Sequence, residues 1–356
     1  MHNKNMINKM KIIYLIALLS FNYSCNKDKK YNEQNIQNET SLENTSDPLK
    51  FTKGLRSICQ DSRGNYWIGS DQEGVCKYDG KTFSYYTTEN GFCGKQVISI
   101  KEDATGTIWF GTSSGLCNYD GEKFNSNFNP TVMKPWTTNK TDLWFPGNNG
   151  QGLIKIGKEF SYTTKNPIEI PLNGNPVDFG ITGFSVGKMN DLWIAYYNGV
   201  AHYDGKSIQY INDSKMNFDG KSNYMHVRSI LEDSKGRLWI GNNGIGVMLK
   251  EGNVITHFSD KKDLIKGEIF GVKSPERSLM HVFAIKEDSE GNIWFGDRDT
   301  GAWRYDGKEV KNFIVNPKLH SQHIWDIYED KKGNLLFVMA ENSVYKFNID
   351  GFSKFF

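Results

Sequence analysis

Residues 287–308 read EDSEGNIWFGDRDTGAWRYDGK, and residues 102–123 read EDATGTIWFGTSSGLCNYDGEK. Both carry an Asp, then a Gly, then a Trp, then a closing Tyr-Asp-Gly at matching offsets. The full unit is I-x-E-D-x-x-G-x-[LI]-W-[IF]-G-x-x-x-G-[VL]-x-x-Y-D-G. It recurs at 58–80, 100–121, 230–252 and 285–307. Weaker copies are TDLWFPGNNGQGLIKIGKEF (141–160) and NDLWIAYYNGVAHYDGK (190–206), and a last copy, IYEDKKGNLLFVMAENSVYKFNIDG, occupies 327–351. Seven copies at a period of about 35 to 55 residues fall in the range of propeller blades.

Each copy predicts four short antiparallel strands. In the second copy strand A is VISIKED, and its Asp starts a tight turn because a short carboxylate can accept from backbone N–H groups two residues on. Strand B is IWFG, with one large aromatic to wedge against the next blade. Strand C is LCNYD, the Asp-Gly pair marks a hairpin, and strand D is KFNSNF. One such sheet cannot bury both faces alone, whereas seven around an axis can. The fold class predicted is all-β, a seven-bladed propeller over 51–356. Trp67, Trp109, Trp144, Trp193, Trp239 and Trp294, with Leu336 in the seventh place, form a regular column and read as core.

Composition agrees. The chain has 356 residues, 13% aromatic, with 35 Gly and only 9 Pro, which favours an all-β protein. A net charge of +2 carries no strong basic field that would argue for nucleic acid. Residues 1–25 read as an export signal: basic MHNKNMINKMK, apolar IIYLIALLSF, then NYSC ending at Cys25. The apolar run is too short to span a bilayer. A cysteine directly after it resembles the lipobox of bacterial lipoproteins, which implies acylation of Cys25 and attachment to the membrane through lipid only; a plain secretory signal is the alternative. Residues 26–50 are polar enough to predict a disordered tether.

The copies EDSKGRLWIGNNGIGV and EDATGTIWFGTSSGLCNYDG resemble the two-component regulator propeller repeat. That repeat builds periplasmic sensors of hybrid two-component systems in Bacteroidota. The resemblance implies a propeller that recognises a ligand, often a glycan fragment, in the cell envelope. No kinase or response regulator follows the propeller in this sequence. Ring closure stays open: FSKFF completes a last blade by itself, yet PLKFT before the first copy also resembles an outer strand.

Loops carry function on a rigid scaffold. The A–B and C–D turns are short and uniform, whereas the B–C and D–A loops on the opposite face vary. Those B–C loops hold Asp71, Gln72 and Glu73, Asn148 and Asn149, Tyr196, Tyr197 and Asn198, Asn242 and Asn243, and Asp297, Arg298 and Asp299. The longest D–A loops are 214–224 and 260–280. Four residues before the strand A Ile, the copies carry Gly54, Gln96, Thr131, Gly180, His226, His281 and His323. Strand A is innermost, so this column is expected at the mouth of a central channel. Three uses compete for the histidines. They converge on a divalent metal with Gln96 or a carboxylate, they hydrogen-bond a polar ligand, or they bond neighbouring backbone. Two places further on, Arg56, Ile98, Arg228, Phe283 and Trp325 follow. Arg56, Arg228 and Trp325 would suit an acidic glycan, Arg through bidentate binding and Trp through a stacking face; the alternative is channel packing.

Cys76 and Cys117 share an apolar strand C position, so free buried thiols are expected there; Cys59 and Cys93 are left open. Gly183, Ser185 and Gly187 match G-x-S-x-G, but a hydrolase elbow needs a strand–turn–helix in an α/β sheet, so Ser185 is set aside. The expectation is a lipid-anchored envelope propeller, on the outer membrane, that binds a glycan fragment or an envelope protein. It has no catalytic residues, no cofactor beyond a possible divalent metal and no nucleic-acid partner. The rival is a metal-dependent lyase or hydrolase of an acidic polysaccharide using His226, His281 and His323.

Overall fold

A computed structural model of the protein describes residues 49–128, 131–132, 138–147, 152–157, 160–162, 180–216, 225–267 and 273–356. Signal, Cys25, nearly all of the expected tether, Asn148 and Asn149, and parts of the two long D–A loops lie outside them. Among the described residues stand seven four-stranded sheets, the blades of a propeller: 55–86, 97–125, 131–162, 181–211, 227–257, 282–313 and 324–354.

The repeated letters have separate jobs. In the first A–B turn, Asp61 Oδ1 accepts from the N–H groups of Arg63 (3.0 Å) and Asn65 (2.8 Å). Gly64 supplies the left-handed residue there at φ 90°. The other oxygen of Asp61 takes the Trp67 indole N–H at 3.0 Å. The same indole-to-Asp bond recurs at Trp109 and Asp103, Trp239 and Asp233, and Trp294 and Asp288. The large ring is thereby buried with its one polar atom satisfied. All seven column residues are at most 6% exposed, as expected of core. Gly69, two residues past the Trp, is a close-approach position: a Cβ there would stand 2.7 Å from Val97 Cβ of the next blade.

The Glu of the Glu-Asp pair, which the sequence left without a role, ties its blade to the one before in four blades. Glu102 accepts from Ser62 N–H, Glu232 from Lys188 N–H, Glu287 from Ser234 N–H and Glu329 from Ser289 N–H. Gln60 holds this place in blade one, and its side-chain oxygen accepts from Lys331 N–H of blade seven at 2.9 Å. The repeat's own contact therefore closes the ring. Where Leu336 replaces Trp, the spare oxygen of Asp330 accepts from Tyr66 OH of blade one at 2.6 Å. Among the described residues no strand is exchanged between termini. Phe83–Tyr86 is the outer strand of blade one and Gly351–Lys354 that of blade seven. Leu49 and Phe51 pack at this seam, and the terminal Phe356 lies edge-on to Tyr66, Tyr78 and Phe83.

Blade three departs from the expected pattern. Its strands are Leu143–Pro146, Leu153–Ile156, Phe160–Tyr162 and Thr131–Val132, the last paired parallel to Phe160–Tyr162 at the outer edge. Leu143–Pro146 carries Trp144 and so corresponds to strand B elsewhere. Thr131, expected on an innermost strand, is at the periphery, and this blade has no strand A among the described residues. Cys117 is a second correction. It is bonded to Cys93, so the loop entering blade two is stapled to its third strand, while Cys59 and Cys76 are free and buried.

Candidate functional site: the axial cavity

The innermost strands of the other six blades share one irregularity. Each skips a residue in its pairing with the second strand, between Leu55 and Ser57, Val97 and Ser99, Ile181 and Gly183, Val227 and Ser229, Val282 and Ala284, and Ile324 and Asp326. The skipped residues are Arg56, Ile98, Thr182, Arg228, Phe283 and Trp325. A bulge leaves its residue outside the ladder and re-aims its side chain. All six line one cavity of about 550 Å³. Side chains of all seven blades contribute to it, which places it on the ring axis. In blade three, which has no innermost strand among the described residues, Trp144 and Pro146 line the wall.

One side of the cavity is a continuous belt of cations and rings. The Arg56 guanidinium sits 3.8 Å over the Trp325 ring, Trp325 is 5.1 Å from Phe283, and Arg228 lies 5.1 Å over Phe283 and 4.9 Å over Tyr197. Arg56 Nε also donates to Asp71 Oδ1 at 2.6 Å, and Gln96 donates to the same oxygen at 2.8 Å. Burial pushes the Asp71 pKa up, but these two bonds and the Arg56 charge outweigh it, and the carboxyl lies below its ordinary value. Arg228 donates to Tyr197 OH at 3.1 Å and has no carboxylate partner among the described residues. Burial draws its pKa below the usual arginine value. The hydroxyl of Thr182 is buried with no hydrogen-bond partner among the described residues.

Lys101 and Asp326 also line the wall and were not singled out from sequence. Lys101 Nζ donates to the backbone carbonyl of Trp144 at 3.0 Å, on the strand left innermost in blade three. Burial lowers the Lys101 pKa to about 8, partly opposed by the Asp326 charge. Burial raises Asp326 to about 6, against N–H donors from Ile58 and Ile327 and the charges of Lys286 and Lys101. A signal for Asp326 was present: its place in the other described copies holds Ser57, Ser99, Gly183, Ser229 and Ala284.

Of the residues singled out from sequence, Arg56, Gln96, Tyr197, Arg228 and Trp325 meet in this cavity. Trp325 does not offer a bare stacking face on the side that Arg56 covers. The histidines behave differently. Asn243 lies between two of them, its oxygen 2.8 Å from His281 Nδ1 and its nitrogen 3.4 Å from His226 Nδ1. His323 packs on Trp325 at 4.2 Å and Phe283 at 4.6 Å, behind the belt. Burial, followed by nearby Arg charges, lowers His226 and His281 to about 4 and His323 to about 3, so all three are neutral. Of the three uses left open for them, convergence on a metal gains no support: no group of three His, Cys, Asp or Glu that could hold an ion occurs among the described residues.

Tyr196 and Asp297 are corrections too. Both are 0% exposed. Tyr196 belongs to the core beside Ile181 and Leu192, because it pairs within strand B and points away from the loop. Asp297 accepts from the N–H groups of Met280, His281, Asp299 and Thr300 and so organises its loop from inside. Arg298 and Asp299 pair with each other at 2.8 Å, and Asp299 also accepts from Ser274 N–H. Ser185 accepts from Glu232 N–H at 2.8 Å, a structural use that agrees with setting it aside.

A seven-bladed propeller with a polar axial cavity is thus the class of protein that fold and site define. The family model described as Two component regulator propeller matches residues 52–72, 91–114, 221–244 and 277–299. The chain carries this repeat in those four segments, which fall on blades one, two, five and six. It is similar in structure to the extracellular domain of the hybrid two-component system BT3049 from B. thetaiotaomicron, with a TM-score of 0.62 and 18% identity over 83% of this chain and 40% of that one. The extracellular domain of BT4673 from the same organism gives 0.58 and 18% over 83% and 38%. Virginiamycin B lyase from Staphylococcus aureus gives 0.58 and 15% over 84% and 96%. At these identities the likeness is one of fold. The chain spans about 40% of the length of the first sensor domain. No curated protein matches the sequence.

Proposed function

We propose that this protein is an envelope-side recognition module that binds a glycan fragment in the axial cavity without chemical conversion, held to a membrane by lipid on Cys25. The observation that carries this is unspent hydrogen-bonding capacity at one concave place. Among the described residues Arg56 donates to protein only through Nε, Arg228 through one N–H, and Thr182 not at all. Polar groups with unused donors are costly to hold away from water, and a ligand rich in hydroxyls supplies partners to the two guanidinium groups. The concave wall also fits a small ligand better than the flat patch of a typical protein interface. The sensor ectodomains of similar fold support a recognition role. The polysaccharide lyase or hydrolase reading needed a three-histidine metal centre, which the described residues do not form.

The test uses a plug. Ile98 projects into the cavity and is 49% exposed, so Ile98→Trp fills space without disturbing core. On an oligosaccharide array and by calorimetry, the parent binds a subset of glycans and Ile98→Trp loses them while its Tm stays within about 2 °C, roughly what 1 kcal/mol shifts in a domain of this size. Full affinity in the plugged variant, or capture of an envelope protein with no glycan bound, overturns this reading. Cys25→Ala is expected to release the protein from the membrane fraction; retention there removes the lipid anchor.

A further inference from the structure

The cavity's charge says what kind of glycan it takes. Four charged side chains line it: Arg56, Lys101, Arg228 and Asp326. Arg56 is matched by Asp71 at 2.6 Å. Lys101 is bonded to a backbone carbonyl and faces the field of Asp326, which Lys286 shares. Arg228 is left over. Among the described residues its contacts are one hydroxyl and two ring faces, its Nε is buried with no hydrogen-bond partner, and no carboxylate reaches it. A guanidinium has five N–H donors and no neutral form at physiological pH, so holding it half-buried and unmatched is unfavourable. Ring faces recover only part of that cost. The bulge between Val227 and Ser229 nevertheless directs this residue to the axis.

Resting on the glycan reading above, we infer that Arg228 is a specificity residue for an acidic sugar, receiving one oxyanion, a carboxylate or a sulfate ester, in the axial cavity. A carboxylate matches the guanidinium fork with two parallel bonds, and a sulfate ester presents the same pair of oxygens. The Asp326 carboxylate on the same wall disfavours a doubly charged group such as a phosphate monoester. Tyr197 OH, already accepting from Arg228, keeps its own proton for a neighbouring ligand oxygen.

The experiment titrates the full chain with matched probes: a hexuronate-containing oligosaccharide series, the same series with its carboxyls reduced, and a singly sulfated neutral series. The expected result is at least about tenfold tighter binding of an acidic series than of its neutral counterpart, a gap of the size that one charge-assisted bond supplies. That preference disappears in Arg228→Gln and is reduced in Arg228→Lys, which keeps charge but loses the fork. Carboxylate and sulfate series together tell which oxyanion is meant. Because no ion pair is lost, Arg228→Gln should melt no lower than the parent; if it does not fold, the Lys variant carries the comparison. Equal binding of acidic and neutral probes, or a preference that survives Arg228→Gln, overturns the inference and leaves the glycan reading intact. If no probe of either kind binds the parent, both fall together.

Discussion

Blade five and blade three come from the same repeat and end up differently. Blade five keeps the first half of the unit intact: Asp233 organises its turn and holds Trp239, Ser234 is tied to Glu287 of the next blade, and the bulge sends Arg228 to the axis. Blade three keeps Trp144 but lacks the Glu-Asp pair and, among its described residues, the innermost strand. The reach-back bond is found at five seams and at neither of the two flanking blade three among the described residues. The inner edge of blade three is met instead by Lys101 from blade two. Where the repeat is complete, structure is over-determined. Where it erodes, the Trp wedge remains, and Trp144 and Pro146 line the cavity at that blade.

The largest expected effect comes from the wedge. Trp239→Ala should cost about 3–5 kcal/mol in chemical denaturation, the usual range for removing a large buried aromatic. A cost below about 1 kcal/mol would break the claim that the column holds the blades. Amide exchange measures the contrast directly. Protection of Leu143–Pro146 should fall about tenfold or more below that of Leu238–Asn242, since local opening follows local packing and ladder pairing. Equal protection would mean that blade three is as well tied as blade five.

Glu287→Ala should cost about 1–2 kcal/mol, the scale of a charge-assisted bond to backbone. A loss comparable to Trp239→Ala would make the seam, not the wedge, the main fastener. The smallest effect concerns pH. His281 is lowered from 6.5 to about 4 by burial. Its proton is therefore taken up by the unfolded chain first, so its contribution to stability is present above pH 6.5 and lost as pH falls toward 4. Asp326, raised to about 6, works the other way: its contribution is complete below its unfolded value near 3.8 and is lost as pH rises through 6. His281→Asn, which keeps an amide near Asn243, should lessen the Tm drop between pH 7 and 5 relative to the parent. An unchanged slope would show that this imidazole titrates freely.

Blade count, the Trp column and the turns were legible because each depends on letters a few residues apart. The cavity was legible in part. Column alignment found Arg56, Arg228 and Trp325, but the reason they share an axis is a skipped pairing, and pairing is a relation between strands rather than a spacing along one. For the histidine column alignment left three uses open, because it does not say that Asn243 stands between His226 and His281. Tyr196 and Tyr197 are adjacent, and strand alternation sends one to the core and the other to the cavity. The Cys93–Cys117 bond was hidden because Cys93 sits in a loop outside the repeat. Asp326 was visible as one acid in a column of small residues.

The bulge has a consequence for how such proteins diversify. A residue outside the ladder and outside the wedge can be exchanged with little effect on folding, so these six positions behave as a combination lock set into a fixed door. If the cavity is where the ligand proposed above binds, rewriting Arg56, Ile98, Thr182, Arg228, Phe283 and Trp325 alone would retarget the molecule while every blade stayed as it is.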